Sequence, residues 1–416
     1  MPSLWRDHNF VALRAGQTVS EMGSAITGLA LPLLAIGTLG AGTGQVGVLQ
    51  ACATGAYLLA SIPAGVLVDR SRKRRLMVAA DVGRFLLLAT VPLASGLAQL
   101  YLVAFLTGVL GVVFGLAYHA YYPIFVTPAA LPDANAKIST TEAVARVSGP
   151  GVAALLIGVF SAATVVLFDA LSFLVSAASL LLPKVPGDVA RPARRRVALR
   201  HEVRDGFRLV AADSVLARTA IGTIGSMLCL GMVNAVLVYF LVRDLGVSAT
   251  GVGVLLGIGE AGGLAAALLA RPVMRRAGSI RVMWLAVLAS PAGFLAAVTT
   301  RGSAPVLVGL FLVLSSARFV LFDIAQYSYR QLVCPLGQLG KANATIRLGV
   351  GTASALGALA GGGLGTLIGA RATLAVATTL LCLAALPVLT SRAMSSSDSG
   401  RRVRENAPPE ASGGPF

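Results

Sequence analysis

The sequence predicts an all-α membrane protein in which twelve transmembrane helices form two six-helix bundles, and three observations lead there. Of its 416 residues, 56% are hydrophobic and only 12% are charged, too few polar groups to wet the surface of a soluble protein. Twelve apolar segments are long enough to cross a bilayer, whose core of about 30 Å takes roughly 20 helical residues. Short stretches also recur between the halves at offsets of 206 and 208: "DRSRKRRLM" (69–77) with "RRAGSIRVM" (275–283), and "LPDANA" (131–136) with "LGKANA" (339–344). Each pair falls after the second or fourth helix of its half, which argues for a duplicated unit.

The elements follow in order. "MPSLWRDHNF" lacks a charged start, an apolar core and a small-residue cleavage site, so no removable signal is read there. Spans are placed at 10–37, 45–68, 76–95, 98–120, 140–161 and 164–183, with joints often too short for anything but tight turns. They make residues 1–183 an N-terminal six-helix bundle. Residues 184–214 form a basic linker. Within "RPARRRVALRHEVRDGFRLV", Leu199, Val203, Phe207 and Val210 fall at helical spacing, while Arg196, Arg200, Arg204 and Arg208 recur every four residues on another face. A short basic helix on the inner leaflet fits this pattern, a solvated linker helix being the alternative. The second bundle, 215–391, holds spans at 215–242, 248–270, 282–300, 303–326, 342–368 and 372–391, and a Ser-, Gly- and Pro-rich tail, 392–416, is expected to be disordered.

The formal net charge of +17 would suggest nucleic acid on a soluble chain, but here the membrane explains it. One set of loops, with the termini, carries 25 Lys+Arg; the other carries only Arg243, Arg301 and Arg371. Basic residues are retained on the cytoplasmic side during insertion, so a multi-pass protein of the cell's inner membrane with both termini cytoplasmic is expected. Cys52, Cys229, Cys334 and Cys382 are widely spaced and suggest neither a metal site nor a disulfide framework. No cofactor is expected, nor nucleic acid; the partners are lipid, protons and a small-molecule substrate, with the chain a monomer.

Charges within the spans are costly and therefore informative. Glu21 in the first helix and Glu260 in the eighth lie near mid-membrane. A carboxyl group taken out of water holds its proton more tightly unless a cation keeps it ionised, which makes Glu21 the first candidate for proton coupling. Arg146 in the fifth helix could neutralise Glu21 or pair with Glu142 one turn earlier. Asp81 and Arg84, three apart, share a face of the third helix; Arg318 and Asp323, five apart in the tenth, do not. Asp169 reads as a cap or water contact near the outer end of the sixth helix, and His119 as a surface residue. "GIGEAGG" (257–263) contains a GxGxxG spacing, but mid-helix in an apolar run it reads as close packing rather than a dinucleotide loop. No GxxxxGK(S/T) loop occurs, so ATP hydrolysis is not expected.

The loop "GVLVDRSRKRR" between the second and third helices combines Gly65, which would let two helices approach, with Asp69 among cations, able to pair with Arg70 or with Arg84. Such a clamp would hold two halves together and release as they rock. A retention signal alone would explain the arginines but not Asp69 and Gly65. The loop resembles the GxxxD(R/K)xGR(R/K)(R/K) motif of the major facilitator superfamily: Gly65, Asp69, Arg70, Lys73 and Arg74 match, and Arg72 replaces the loop glycine. "FVALRAGQTVSEMG", "DANA" and "FDALSFL" resemble its branch of macrolide and multidrug exporters, which also includes siderophore exporters.

"RVSGPGVAALLIG" (146–158) resembles the Gly-Pro motif of the family's proton-coupled antiporters. There Gly149 and Pro150 would make a bend or a tight packing point. The resemblance implies alternating access, with the first, fourth, seventh and tenth helices lining a cavity; Glu21, Tyr118, Asn234, Tyr239, Phe311 and Arg318 are the candidate lining groups. Export of an amphipathic drug, macrolide or other natural product by proton antiport is the leading expectation, and a siderophore exporter or metabolite importer of the same fold the alternative. A membrane enzyme would need a polar catalytic cluster and a receptor a sizeable soluble domain; neither is visible, and no enzyme activity is expected.

Overall fold

The computed structural model describes residues 8–124, 126, 130–182, 199–333 and 339–389. The expected stretch at 184–198, Cys334 and the tail after Arg392 lie outside the described residues. The first half comprises α1 (His8–Gly37), α2 (Thr43–Arg70), α3 (Lys73–Ala89), α4 (Leu97–Tyr121), α5 (Leu131–Val159) and α6 (Ala162–Leu181). After the short α7 (Leu199–Ala212) come α8 (Ser214–Tyr239), α9 (Ala249–Leu288), α10 (Phe294–Ala297), α11 (Ala304–Val333), α12 (Leu339–Ile368) and α13 (Ala370–Leu389).

Eleven of the described helices are apolar and long enough to cross a bilayer, and one of them, Ala249–Ala297, has 49 residues. At helical rise that is about 74 Å, more than twice the bilayer core. Gly278 breaks it with φ 76° and ψ 154°, a conformation that a Cβ would oppose. Residues 249–277 pack on α11 through Gly259 and Gly262, against Leu312 and Val313. Residues 279–297 return beside it, with Val282, Met283 and Ala286 clustered on Phe322 and Ala325. The element is therefore two crossings, and the chain makes twelve.

Two boundaries differ from expectation. The fifth crossing begins at Leu131 and the eleventh at Leu339, so the first "ANA" repeat sits in helix rather than in a loop and the second lies one turn further in than expected. In α5 a proline at the start, where a missing amide costs nothing, and an Asp133–Lys137 ion pair at i,i+4 favour the extra turns. Helix α7 docks by Val210, buried with Leu216 and Ala220 of α8 and Ala342 and Ile346 of α12, and leaves Phe207 exposed.

Helices α1–α6 pack with one another, as do α8–α13, and the halves meet through α2 against α12 and α5 against α9. In lipid, helices associate by close van der Waals contact rather than by a hydrophobic drive, so small residues mark the seam. A Cβ on Gly47 would lie 2.7 Å from the Ala358 carbonyl and from Gly362 Cα; one on Gly253 would lie 2.7 Å from the Pro150 carbonyl.

The seam is uneven along its length. At the face bearing the α1–α2 turn, one buried cluster joins Leu33 and Ile36 of α1, Val46 of α2, Leu237 and Phe240 of the α8 segment and Ala358 of α12. At the opposite, α2–α3 face each half closes on its own core: Phe10, Met77, Tyr121 and Leu180 in one, Met283, Phe322 and Val388 in the other. Gly65 has open space within 4 Å. The halves thus form a V closed at the α1–α2 face and open toward the α2–α3 face.

Candidate functional site

The centre of the first half is built around Arg14, a residue that the sequence reading did not single out. It is 1% exposed, yet its guanidinium is engaged on every nitrogen. Nη2 donates to Glu21 Oε2 at 2.8 Å and Nη1 to Oε1 at 3.2 Å; Nε donates to Thr141 Oγ1 at 2.5 Å and Nη1 to the Tyr118 hydroxyl at 3.3 Å. One side chain thereby ties α1 to α4 and α5. Glu21 keeps 19% side-chain exposure and lies about 20 Å along α1 from His8 at helical rise, near mid-membrane. Glu142, on α5, acts electrostatically on both Glu21 and Tyr118, and among the described residues it makes no ion pair. A signal for Arg14 did exist: seven residues before Glu21 is two helical turns, which sets both on one face.

Arg146, expected to serve Glu21 or Glu142, is exposed and instead lies within electrostatic reach of Glu260. Helix register accounts for this. Gly253 faces Pro150 and Ala154, and Gly257 faces Gly151, so Glu260, one turn on, meets the turn of α5 that carries Arg146. Charged groups therefore run from α1 through α5 to α9, across the seam. Helix α5 continues through Pro150, and Gly149 packs against Ala25 of α1, where a Cβ would come within 2.4 Å of the alanine's own.

The clamp expected of the basic loop is not formed in this conformation. Arg84 pairs with Asp81, 0% exposed, and stacks over Phe114 at 4.7 Å and Phe173 at 4.1 Å. Asp69 and Arg70 are exposed, and Gly65 makes no close approach. The loop's cations have local work: Lys73 is buried, and Arg74 donates to the carbonyls of Leu180 and Leu181 at 2.6 and 2.5 Å, neutralising the negative end of α6. Asp169, expected to be a cap or water contact, is 1% exposed, accepts from Ser172 at 3.1 Å and crowds Gly23. Three-letter spacing could not reveal that α1 covers it.

Of the other candidate lining groups, Asn234 is exposed and Tyr239 half-buried. Tyr118 is buried and belongs to the Arg14 cluster. Phe311 lies in the shared core, and Arg318 is 7% exposed with Cys229 and Cys382 as electrostatic neighbours. These two share a buried stripe of α11 with Phe322. Asp323, on another face, accepts from Gln326 at 2.9 Å.

The repeated "ANA" stretches acquire a role that pattern alone did not show. The Tyr122 hydroxyl donates to Asn135, and Arg330 Nη1 donates to Asn343 at 2.6 Å, each across 13 residues. Corresponding asparagines in the two halves thus clasp the same hairpin, α4 to α5 and α11 to α12.

The sequence matches the description "Major Facilitator Superfamily" twice, over residues 15–220 and 219–412. No curated protein sequence matches. Among solved structures, a point mutant of the nucleoside transporter NupG is similar at TM-score 0.76 and 14% identity, with 92% of this chain and 99% of that one covered. A bacterial homologue of the human lysosomal transporter Spinster, inward-facing and unoccupied, gives 0.70 and 14% over 96% and 98%. A bacterial homologue of the iron transporter ferroportin, inward-facing, gives 0.70 and 16% over 92% and 98%. Identities this low speak for a shared fold and leave the cargo open.

Proposed function

The chain belongs to the major facilitator superfamily, a membrane transporter by fold, and from that premise we propose that it is a secondary active exporter that expels amphipathic small molecules in exchange for protons. The observation that carries the reading is the Arg14–Glu21 pair near mid-membrane, whose arginine is buried while the carboxylate side chain keeps 19% exposure. An ion pair at mid-membrane adds little to stability, since desolvating both charges offsets their attraction. A gain in function is the better account of its presence.

In the ionised state, Glu21 holds both Nη groups of Arg14. A proton on Glu21 removes the charge that holds them, and the guanidinium is then left with Thr141, Tyr118 and the nearby Glu142. Because Thr141 and Glu142 lie on α5, which packs against α9, a shift of Arg14 toward them bears on the seam between the halves. The branch of exporters that "FVALRAGQTVSEMG", "DANA" and "FDALSFL" resemble supports the outward direction, and Asn234 with Tyr239 offers amide and aromatic contacts suited to bulky ligands. The open α2–α3 face, rich in Arg and Lys, is the cytoplasmic face in this reading.

Efflux assays in a drug-sensitive host, run over macrolides, dyes and siderophores with and without a protonophore, test the proposal. Wild-type protein should lower accumulation of at least one hydrophobic compound, and the protonophore should abolish this. The double variant Arg14→Met/Glu21→Gln, which removes both charges together, should reach the membrane and lose gradient-driven efflux. Efflux that survives in the double variant with its pH dependence intact would remove Glu21 from the mechanism.

A further inference from the structure

The three basic residues on the α1–α2 face, Arg243, Arg301 and Arg371, violate the charge bias of the chain, and each is engaged with a backbone carbonyl at a helix end. Arg371 Nη1 donates to Ala297 at 3.0 Å, Arg301 Nε to Asp244 at 3.5 Å, and Arg243 Nη2 to Ile36 at 2.7 Å. Cations at the C-terminal ends of helices satisfy orphan carbonyls and the negative end of the dipole. Two of these contacts stay within the second half. The third spans the seam, because Ile36 lies in the last turn of α1, and Arg243 follows α8.

The local backbone places Arg243 there. Beyond Tyr239 the chain leaves the α-helical pattern for a wider turn, with the Leu245 amide bonded to the Phe240 carbonyl five residues back at 3.0 Å and the Val247 amide to Leu241 at 2.8 Å. Such π-turns are rare and recur at functional positions. Phe240 and Leu241 are fully buried in the cluster that closes this face, so the turn is anchored, and Arg243 reaches across to α1. Ile36 is itself 0% exposed, which keeps its carbonyl from easy replacement by water.

We propose that Arg243 is the latch of the gate at the α1–α2 face: its bond to the Ile36 carbonyl holds the ends of α1 and α8 together while the cavity faces the other side, and it breaks when that face opens. The inference rests on the alternating-access reading above. Its cargo-independent consequence is that loss of the latch shifts the resting population toward the state open at the α1–α2 face.

Thr43 offers a reporter, since it is 5% exposed in the closed seam against Gly365 of α12. In a chain whose four native cysteines are replaced by serine, Thr43→Cys is labelled in intact cells with a membrane-impermeant maleimide. Arg243→Ala should raise the labelling rate about fivefold, the effect of losing one net hydrogen bond of ordinary strength. Arg243→Lys, which keeps a cationic donor, should label near the parental rate. Arg371→Ala, which removes a cap within the second half and its stacking over Phe240 at 5.4 Å but leaves the bond across the seam, should raise labelling by much less than Arg243→Ala does.

An unchanged rate in Arg243→Ala, or an equal rise in Arg371→Ala, overturns the proposal. If the alanine variant fails to reach the membrane, Arg243→Met keeps the aliphatic stem, removes the donor and is read by the same two outcomes. Labelling needs neither substrate nor gradient. A response without any exported compound therefore defeats the exporter reading and leaves the latch, whereas intact efflux without a response defeats the latch alone.

Discussion

Replacing Glu21 by glutamine tests whether the central ion pair is energetically one unit. Arg14 is 1% exposed and donates to Glu21 from two nitrogens, so the substitution takes the bonded carboxylate from a buried guanidinium and leaves it hydrogen-bonded to Thr141 and Tyr118. Breaking a buried pair on one side costs about 3–5 kcal/mol. The 19% exposure of Glu21 puts this site at the low end, and the glutamine carbonyl restores one bond, roughly 1 kcal/mol. A net loss of about 2 kcal/mol follows. Arg14→Met should cost a similar amount, because it strands the carboxylate and forfeits the bonds to Thr141 and Tyr118. The double variant strands neither charge and should fall well short of the sum, with a coupling of about 2 kcal/mol. Unfolding midpoints of the four purified proteins in one detergent close the cycle. If the two losses add to within about 0.5 kcal/mol, the pair is not coupled and the argument for charge release from Arg14 fails.

Two further outcomes follow from the packing. Asp81→Asn leaves Arg84 buried without its carboxylate and should lower stability by about 3 kcal/mol, while Asp69→Asn at an exposed position should change it by less than about 0.5 kcal/mol; comparable losses in the two variants would refute the assignment of Arg84 to Asp81. Gly362→Val places a Cβ 2.8 Å from Gly47 Cα and 3.1 Å from the Thr43 carbonyl, so it should wedge the seam open and speed labelling of Thr43→Cys from outside the cell, and an unaltered rate would mean that the halves do not close through this contact.

Much of the architecture was legible because lipid imposes simple rules. Run length and apolar content marked the twelve crossings, including the two, 248–270 and 282–300, that the structure separates at Gly278. The boundaries at Leu131 and Leu339 were less visible, since polar first turns look like loops until a partner helix is seen to hold them. The candidate site was half legible. Glu21 and Glu260 stand out because a carboxylate in an apolar run is costly wherever it points. Arg14 did not, because it sits near a helix start, where an arginine is ordinary; only its i,i+7 spacing to Glu21 hinted at a pair.

Phe311 and Arg318 mark the opposite limit. Both are plausible cavity residues by type, and both are buried, Phe311 in the core shared by the halves and Arg318 beside Cys229 and Cys382, because the rotation of a helix about its axis is set by its neighbours and leaves no trace in a helix that is apolar all round. The assignment of charges met the same limit across helices: the Asp81–Arg84 pair, three apart on one helix, was within reach of the sequence, whereas Arg146 came to face Glu260 through contacts between segments far apart in the chain. The sequence by itself determined the number of crossings, the concentration of basic residues on alternate loops and the internal repeat, since each depends on composition along one segment. Only the tertiary structure decided which charges meet between helices, which face of the V is closed and that Arg243 bridges it, because those depend on register between helices, and register is settled by packing.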